Sequence, residues 1–296
     1  MTDTTPEPDA ARAGSAEGDP TETELAETPI VETPLAETPL AEAQIVARLR
    51  AAGCVFAEDE ARLLIEAAGT PAELATMVRR RLAGLPLEPI LGWAEFCGLR
   101  ILVDPGVFVP RRRTELLVEQ AAALARPGAV VVDLCCGSGA VGTALAARID
   151  GIELYAADIE PAAVRTARRN VVPAGGRVVE GDLYEPLPSE LRGRVDILAV
   201  NAPYVPTEAI ELMPPEARVH EPRVTLDGGA DGLDVQRRIA AEAPQWLAPG
   251  GRLLIETSER QAPLTVAILI DSGLTAHVVR SQELDATVVI GTMSAS

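Results

Sequence analysis

The sequence predicts an α/β protein built on a doubly wound sheet, and three observations predict it. From residue 129 onward, short aliphatic runs alternate with stretches of helical spacing, as parallel strands and their crossover helices do. The first run leads into Gly137, Gly139 and Gly142, a turn that opens a helix. The last two runs follow one another with no helix between them, so the sheet closes with an antiparallel pair.

Residues 1–43 hold eleven acids and one base, Arg12, and carry a repeat: Glu27-Thr-Pro-Ile-Val, Glu32-Thr-Pro-Leu-Ala, Glu37-Thr-Pro-Leu-Ala. Recurrent proline and like charge oppose a packed core, so a disordered acidic tail is expected. Residues 44–85 take helical spacing through Ile45, Val46 and Leu49, then Leu63 to Ile65, then Leu74, Met77, Val78 and Leu82. Thr70-Pro71-Ala-Glu73 supplies a cap, a first-turn proline and a first-turn acid. This helical module is too small to stand alone and is expected to pack on the larger domain after it. Residues 86–107 read as two β-like runs, from Leu87 to Val103, around a glycine turn: a hairpin linker.

Residues 108–296 form the main domain. It opens with Phe108-Val-Pro-Arg111-Arg-Arg113-Thr114-Glu115 and an amphipathic helix through residue 124. Three cations at a helix start oppose its dipole, and a broken local rule marks a candidate site. Strands are expected at 129–134, 152–157, 177–180, 195–200 and 252–256, and helices at 139–147, 161–170, 233–246 and 264–271. Closing strands at 278–280 and 287–290 make seven.

A hydrophobic fraction of 47% in 296 residues suffices for one α/β core and a smaller module. The formal charge is −18, but beyond the tail 33 acids face 25 bases. Positive charge concentrates only in the triplets 79–81 and 111–113, which argues against duplex nucleic acid as a partner. All 26 basic residues are arginine, which we read as coding bias. Four cysteines without a CxxC pair, and two histidines, give no reason to expect a metal and fit a reducing, cytoplasmic compartment. No apolar run reaches membrane-spanning length and no charged segment followed by an apolar one stands near residue 1, so neither insertion nor export is expected.

Ligands of an open α/β sheet sit at the carboxyl ends of its strands. Gly137, Gly139 and Gly142, with Asp158 about twenty residues on, satisfy a dinucleotide fingerprint, so a nicotinamide dehydrogenase is one reading. Asp158 suits ribose hydroxyls under any reading. Asp133 points elsewhere: a carboxylate just before the loop repels a pyrophosphate and welcomes a cationic sulfonium with a free amino group. Asp182, in Gly181-Asp-Leu183-Tyr184, is placed to meet an adenine amino group. The fourth strand runs into Asn201-Ala202-Pro203-Tyr204, where Pro203 ends the ladder and stiffens the exit.

Several stretches together carry a resemblance. They are Gly92-Trp-Ala-Glu-Phe-Cys-Gly98, Phe108 to Arg111, Thr114-Glu115-Leu-Leu-Val-Glu119, Asp133 to Gly142 and Asn201 to Tyr204. His220-Glu-Pro222, Leu226-Asp-Gly-Gly229-Ala-Asp-Gly-Leu233 and Gly250-Gly-Arg-Leu-Leu-Ile-Glu256 complete them. From residue 44 on, the chain resembles the class I S-adenosylmethionine-dependent methyltransferases, and within them the HemK/PrmC family of protein-(glutamine-N5) methyltransferases. The resemblance implies a Rossmann-like methyltransferase sheet with a helical substrate-recognition module joined by a hairpin. It implies S-adenosylmethionine as cofactor, held by Asp133, Cys135, Cys136, Gly137, Ser138, Gly139, Asp158, Ile159, Asp182, Leu183 and Asn201. The implied acceptor is a glutamine of a protein, a class I release factor or another translation protein.

The resemblance places catalysis on Asn201, Ala202, Pro203 and Tyr204. The Asn201 side-chain oxygen and the residue 202 carbonyl accept the two N–H bonds of the acceptor amide, and Tyr204 stacks beside it. Phe108, Arg111, Arg113, Thr114 and Glu115 are substrate-side candidates. Two departures mark a PrmC-related paralogue. The usual Asn-Pro-Pro-Tyr has Ala202 as its second residue, and Pro-Arg-Pro-Glu-Thr-Glu is Pro110-Arg-Arg-Arg-Thr-Glu115. They keep open a small-molecule amide or amine, or a nucleobase amino group, as acceptor. A non-catalytic cofactor-binding module, its tail recruiting partners, is the alternative from another class.

Overall fold

The computed structural model describes residues 41–295, so the expected acidic tail lies, up to residue 40, outside the described residues. Four helices come first: α1 (Glu42–Ala51), α2 (Ala57–Ala67), α3 (Pro71–Leu82) and α4 (Leu87–Leu91). Ile45, Leu49, Leu64, Val78 and Ile90 give them an apolar cluster of their own. The Thr70 hydroxyl accepts the Glu73 N–H at 3.2 Å and Pro71 opens α3, as the sequence predicts.

The opening of the β-like stretch expected within 86–107, Leu87–Leu91, is helical instead. Pro89 falls in the first turn of α4, where its missing N–H leaves no helical bond unmade, and Gly92 ends the helix in the left-handed region at φ 82. The hairpin is therefore shorter: β1 (Trp93–Phe96) pairs with β2 (Leu99–Leu102) across a turn at Cys97 and Gly98. A short 3-10 turn, Arg112–Thr114, then leads into α5 (Glu115–Leu124).

The main sheet takes up the rest. Its elements run β3 (Val130–Leu134), α6 (Ala140–Arg148), β4 (Glu153–Asp158), α7 (Pro161–Val171), β5 (Arg177–Glu180) and β6 (Val195–Val200). After α8 (Pro215–His220) come α9 (Asp234–Trp246), β7 (Leu247–Thr257), α10 (Ala262–Asp271), β8 (Thr275–Ser281) and β9 (Ala286–Thr292). The strand order is β5-β4-β3-β6-β7-β9-β8, with β9 antiparallel to both neighbours and the remaining pairs parallel. The seven strands and the antiparallel closing pair match the expectation.

Strand β3 is buried at every position, because helices cover both faces of a parallel sheet. Val131 joins the apolar layer of α5, α6 and α7, while Val130 and Val132 join that of α9 and α10. The chain leaves β3 toward β4 and β5, then returns as β6 on the other side. That reversal opens a crevice between the carboxyl ends of β3 and β6. Among the described residues, no helix is long and apolar enough to cross a membrane.

Candidate active site

A cleft of about 220 Å³ lies at this reversal. Its floor is the loop after β3. The Gly137 N–H donates to Asp158 Oδ2 at 2.8 Å and the Glu160 N–H to Oδ1 at 2.9 Å, so one carboxylate ties the loop to the end of β4. From α7, Asn170 Nδ2 donates to the Ser138 carbonyl at 2.8 Å. The same side chain exchanges two bonds with the Leu102 backbone, each 3.0 Å, locking the loop to the hairpin. Asp133 is 2% exposed and accepts the Gly142 N–H at 2.8 Å. Burial pushes its carboxyl up to about 7, with the Gly142 N–H opposing and the Asp158 charge adding. Burial also raises Asp158, against the Glu160 and Gly137 N–H groups.

Asp133, Cys135, Cys136, Gly137, Ser138, Asp158, Ile159, Asp182 and Leu183 all line the cleft. Gly139 does not. It starts α6 at φ 76 and faces α7, where a Cβ would stand 2.5 Å from Val171 Cγ2, so its requirement is for helix packing. Asp182 has a partner that the sequence reading missed, Arg238, at 2.7 Å. Burial raises both thiols, so Cys135 and Cys136 serve as walls and not as nucleophiles.

The rest of the cleft wall comes from the loop after β6 and the turn before α5. Asn201, Ala202, Pro203 and Tyr204 line the cleft with Phe108, Arg111, Arg113 and Thr114. Asn201 Nδ2 donates to Thr114 Oγ1 at 3.2 Å. The Ala202 carbonyl accepts no hydrogen bond from the described residues. Gln261 Nε2 donates to the Tyr204 carbonyl at 2.9 Å and to the Asp231 carbonyl at 3.0 Å. Gly232 makes that close approach feasible: a Cβ there would lie 2.3 Å from the Tyr204 oxygen. The Val205 N–H donates to the Leu226 carbonyl at 3.0 Å and the Gly228 N–H to the Val205 carbonyl at 2.9 Å, closing the excursion after Tyr204.

Each arginine of the triplet has an acid. Arg111 pairs with the buried Glu221 and lies over the Phe108 ring, Arg112 reaches Glu283 at 3.6 Å, and Arg113 reaches Glu256 at 3.5 Å. These pairs explain cations at a helix start. Glu115, expected on the substrate side, is outside the cleft. Its carboxylate accepts the Cys97 N–H at 3.1 Å, because Cys97 sits at the hairpin turn with φ 53 and needs a partner there.

Sequence reasoning missed Glu221, which lines the cleft, and Asn170, Glu256 and Gln261, which bond to residues that do. A signal existed for Glu256: like Asp133, Asp158 and Asp182, it is an acid ending an aliphatic run.

A family model, Methyltransferase small domain, matches residues 98–229. The release factor glutamine methyltransferase of Geobacter sulfurreducens is 41% identical over 208 residues, 69% of this chain and 72% of that protein. The chain belongs to the release factor glutamine methyltransferase family, the HemK/PrmC group that the motifs resemble. The 4-amino-L-phenylalanine/4-methylamino-L-phenylalanine methyltransferase of Streptomyces pristinaespiralis is 38% identical, over 68% of this chain and 70% of that one. A methyltransferase structure from Pyrococcus furiosus shares the fold at a TM-score of 0.52 and 17% identity, covering 67% of this chain and 90% of that one. The chain is thus an S-adenosylmethionine-dependent methyltransferase, and the nicotinamide reading ends. The cleft fits that cofactor: three carboxylates, Asp133, Asp158 and Asp182, face one space, a field that suits a cation.

Proposed function

We propose that this methyltransferase methylates the side-chain nitrogen of a glutamine in a protein, and that the protein is a class I release factor. One observation carries the reading: Asn201 Nδ2 is tied to Thr114, which leaves Oδ1 free to accept an N–H. A carboxamide nitrogen is a poor nucleophile because its lone pair is delocalised into the carbonyl. The site must therefore hold it in line. Asn201 Oδ1 and the Ala202 carbonyl each accept one N–H of the acceptor amide, and Tyr204 packs beside its plane. In-line positioning of this kind supplies roughly 7 to 11 kcal/mol in favourable intramolecular cases.

Asp133, Asp158, Asp182 and the Gly137 loop would hold S-adenosylmethionine, with Cys135, Cys136, Ser138, Ile159 and Leu183 around it. When bound it supplies an electron-poor methyl group, whose bond to sulfur breaks with both electrons going to sulfur. No residue has to act as a strong base, because the nitrogen becomes acidic once methylated and gives its proton to solvent.

Exposed apolar groups support a macromolecular acceptor. Leu212 is 87% exposed and Val219 64% exposed, on the segment that also brings Met213 and Val224 to the cleft. Phe56, at the start of α2, is 69% exposed. In this reading, residues 44–85 recognise the substrate, 86–107 link them to the domain 108–296, 1–43 are an added tail, and the enzyme works in the cytoplasm. A second reading has specific support: a relative acts on an aromatic amine of a free amino acid, and Arg113, half exposed in this cleft, would suit that carboxylate.

Labelled S-adenosylmethionine offered with unmethylated full-length release factor, with 4-amino-L-phenylalanine and with nucleic acid separates the readings. Label in the release factor is expected. Label confined to the small amine would replace the first reading by the second.

A further inference from the structure

We propose that Arg238 is a positioning residue for the purine end of the cofactor, holding the Asp182 carboxylate so that the cleft accepts a 6-amino purine and rejects a 6-oxo one. This rests on Asp182 meeting the adenine amino group. The three carboxylates of the cleft are held in different ways. Asp133 accepts the Gly142 N–H at 2.8 Å, and Asp158 accepts those of Gly137 and Glu160 at 2.8 and 2.9 Å. Backbone donors fix both acids. The Asp182 carboxylate has a side-chain donor instead: Arg238 Nη2 reaches Oδ2 at 2.7 Å. Its Oδ1 accepts no hydrogen bond from the described residues. Arg238 stands one turn after Val235 in α9, and both residues line the cleft.

The backbone around Asp182 is fixed without Arg238. The Gly181 N–H donates to the Asp158 carbonyl and the Glu185 N–H to the Asp182 carbonyl, each at 3.0 Å. The Tyr184 hydroxyl donates to the Ile239 carbonyl at 2.9 Å and ties the same loop to α9. What Arg238 adds is control of the side chain alone, since an aspartate otherwise turns among staggered rotamers.

An ionised carboxylate only accepts hydrogen bonds. A 6-amino group donates to it. A 6-oxo purine presents an oxygen at that place and carries its donor on the neighbouring N1. A free Asp182 side chain turns to follow that donor. Held by Arg238 it stays, and two acceptors face each other.

Calorimetry of the purified enzyme with S-adenosylhomocysteine, and with its 6-oxo counterpart S-inosylhomocysteine, tests this without any methyl acceptor. The parent should bind the 6-amino ligand at least about tenfold more tightly. In Arg238→Ala that preference should fall by at least about threefold. A merely structural loss weakens both ligands alike and leaves the ratio where it was. Asp182→Ala should also remove the preference, and adding Arg238→Ala to it should change the ratio no further, because Arg238 acts through Asp182.

A parent with no preference, or an Asp182→Ala enzyme that keeps it, takes Asp182 away from the adenine and overturns the proposal with that placement. A preference lost in Asp182→Ala but kept in Arg238→Ala overturns the role of Arg238 and leaves the placement of Asp182 standing. Should Arg238→Ala fail to fold, Arg238→Met, which keeps the apolar stem, carries the same comparison.

Discussion

Gly137 and Asp158 are joined by a 2.8 Å hydrogen bond from the loop backbone to the carboxylate, so the turn after β3 and the end of β4 move as one piece. A bond to a charged group contributes about 1.5 to 3 kcal/mol, and here a second N–H, from Glu160, shares the carboxylate. Asp158→Ala should weaken S-adenosylmethionine binding at least about tenfold by titration calorimetry, through a loosened loop as well as a lost ligand.

Asp133 is the group through which cofactor binding is expected to depend on pH. Its carboxyl sits at about 7 in the fold, against about 3.9 in an unfolded chain. The native state therefore holds a proton that the unfolded state releases. The stability this contributes is complete below the unfolded value and is lost as pH rises through about 7. A bound cation favours the ionised carboxylate and displaces the proton. Affinity for S-adenosylmethionine should rise between pH 6 and pH 8, about one unit either side of that value, and calorimetry in buffers of unlike ionisation heat should register proton release. Asp133→Asn should bind more weakly and without that slope.

Asn201 separates binding from chemistry. Asn201→Ala should retain cofactor affinity within about threefold and lose roughly 100- to 1,000-fold in kcat, the range seen when one aimed hydrogen-bonding group is removed. Asn201→Asp keeps an acceptor oxygen but loses the N–H that reaches Thr114, so it should retain more activity than alanine. Single-turnover rates with each variant check both statements.

Gln261 works at a distance from the reacting atoms. Gln261→Ala removes two bonds that join Tyr204 to Asp231, leaving two part-buried carbonyls unpaired at a combined cost of about 1 to 3 kcal/mol. A lowering of Tm by roughly 4 to 10 °C is expected in a domain of this size, with kcat reduced because Tyr204 is released.

The sheet and the cofactor loop could be read in the sequence because burial on both faces writes parallel strands as unbroken aliphatic runs, each ending in a polar residue. Asp133, Asp158, Asp182 and Asn201 were visible for that reason. What was misread depended on contacts from afar. Leu87 to Leu91 looked like strand, but a first-turn proline and a left-handed Gly92 make it helix. Glu115 neighbours Thr114 in sequence, yet the helical turn sends it to the Cys97 N–H, away from the cleft. Gly139 fits the fingerprint and packs against α7 instead. Asn170, Glu221 and Gln261 stand in ordinary helical or loop context, and their roles come from partners 32 to 110 residues away.

The central claim is an amide nitrogen held by Asn201 and Ala202 in front of a methyl donor, and locating the transferred methyl tests it most directly. Full-length class I release factor is to be incubated with the enzyme and S-adenosylmethionine, digested, and sequenced by tandem mass spectrometry. The account predicts one added methyl on the side-chain nitrogen of a single glutamine, absent with Asn201→Ala. A methyl found on a lysine, arginine or terminal amine, or on the same glutamine at an undiminished rate with Asn201→Ala, would contradict it.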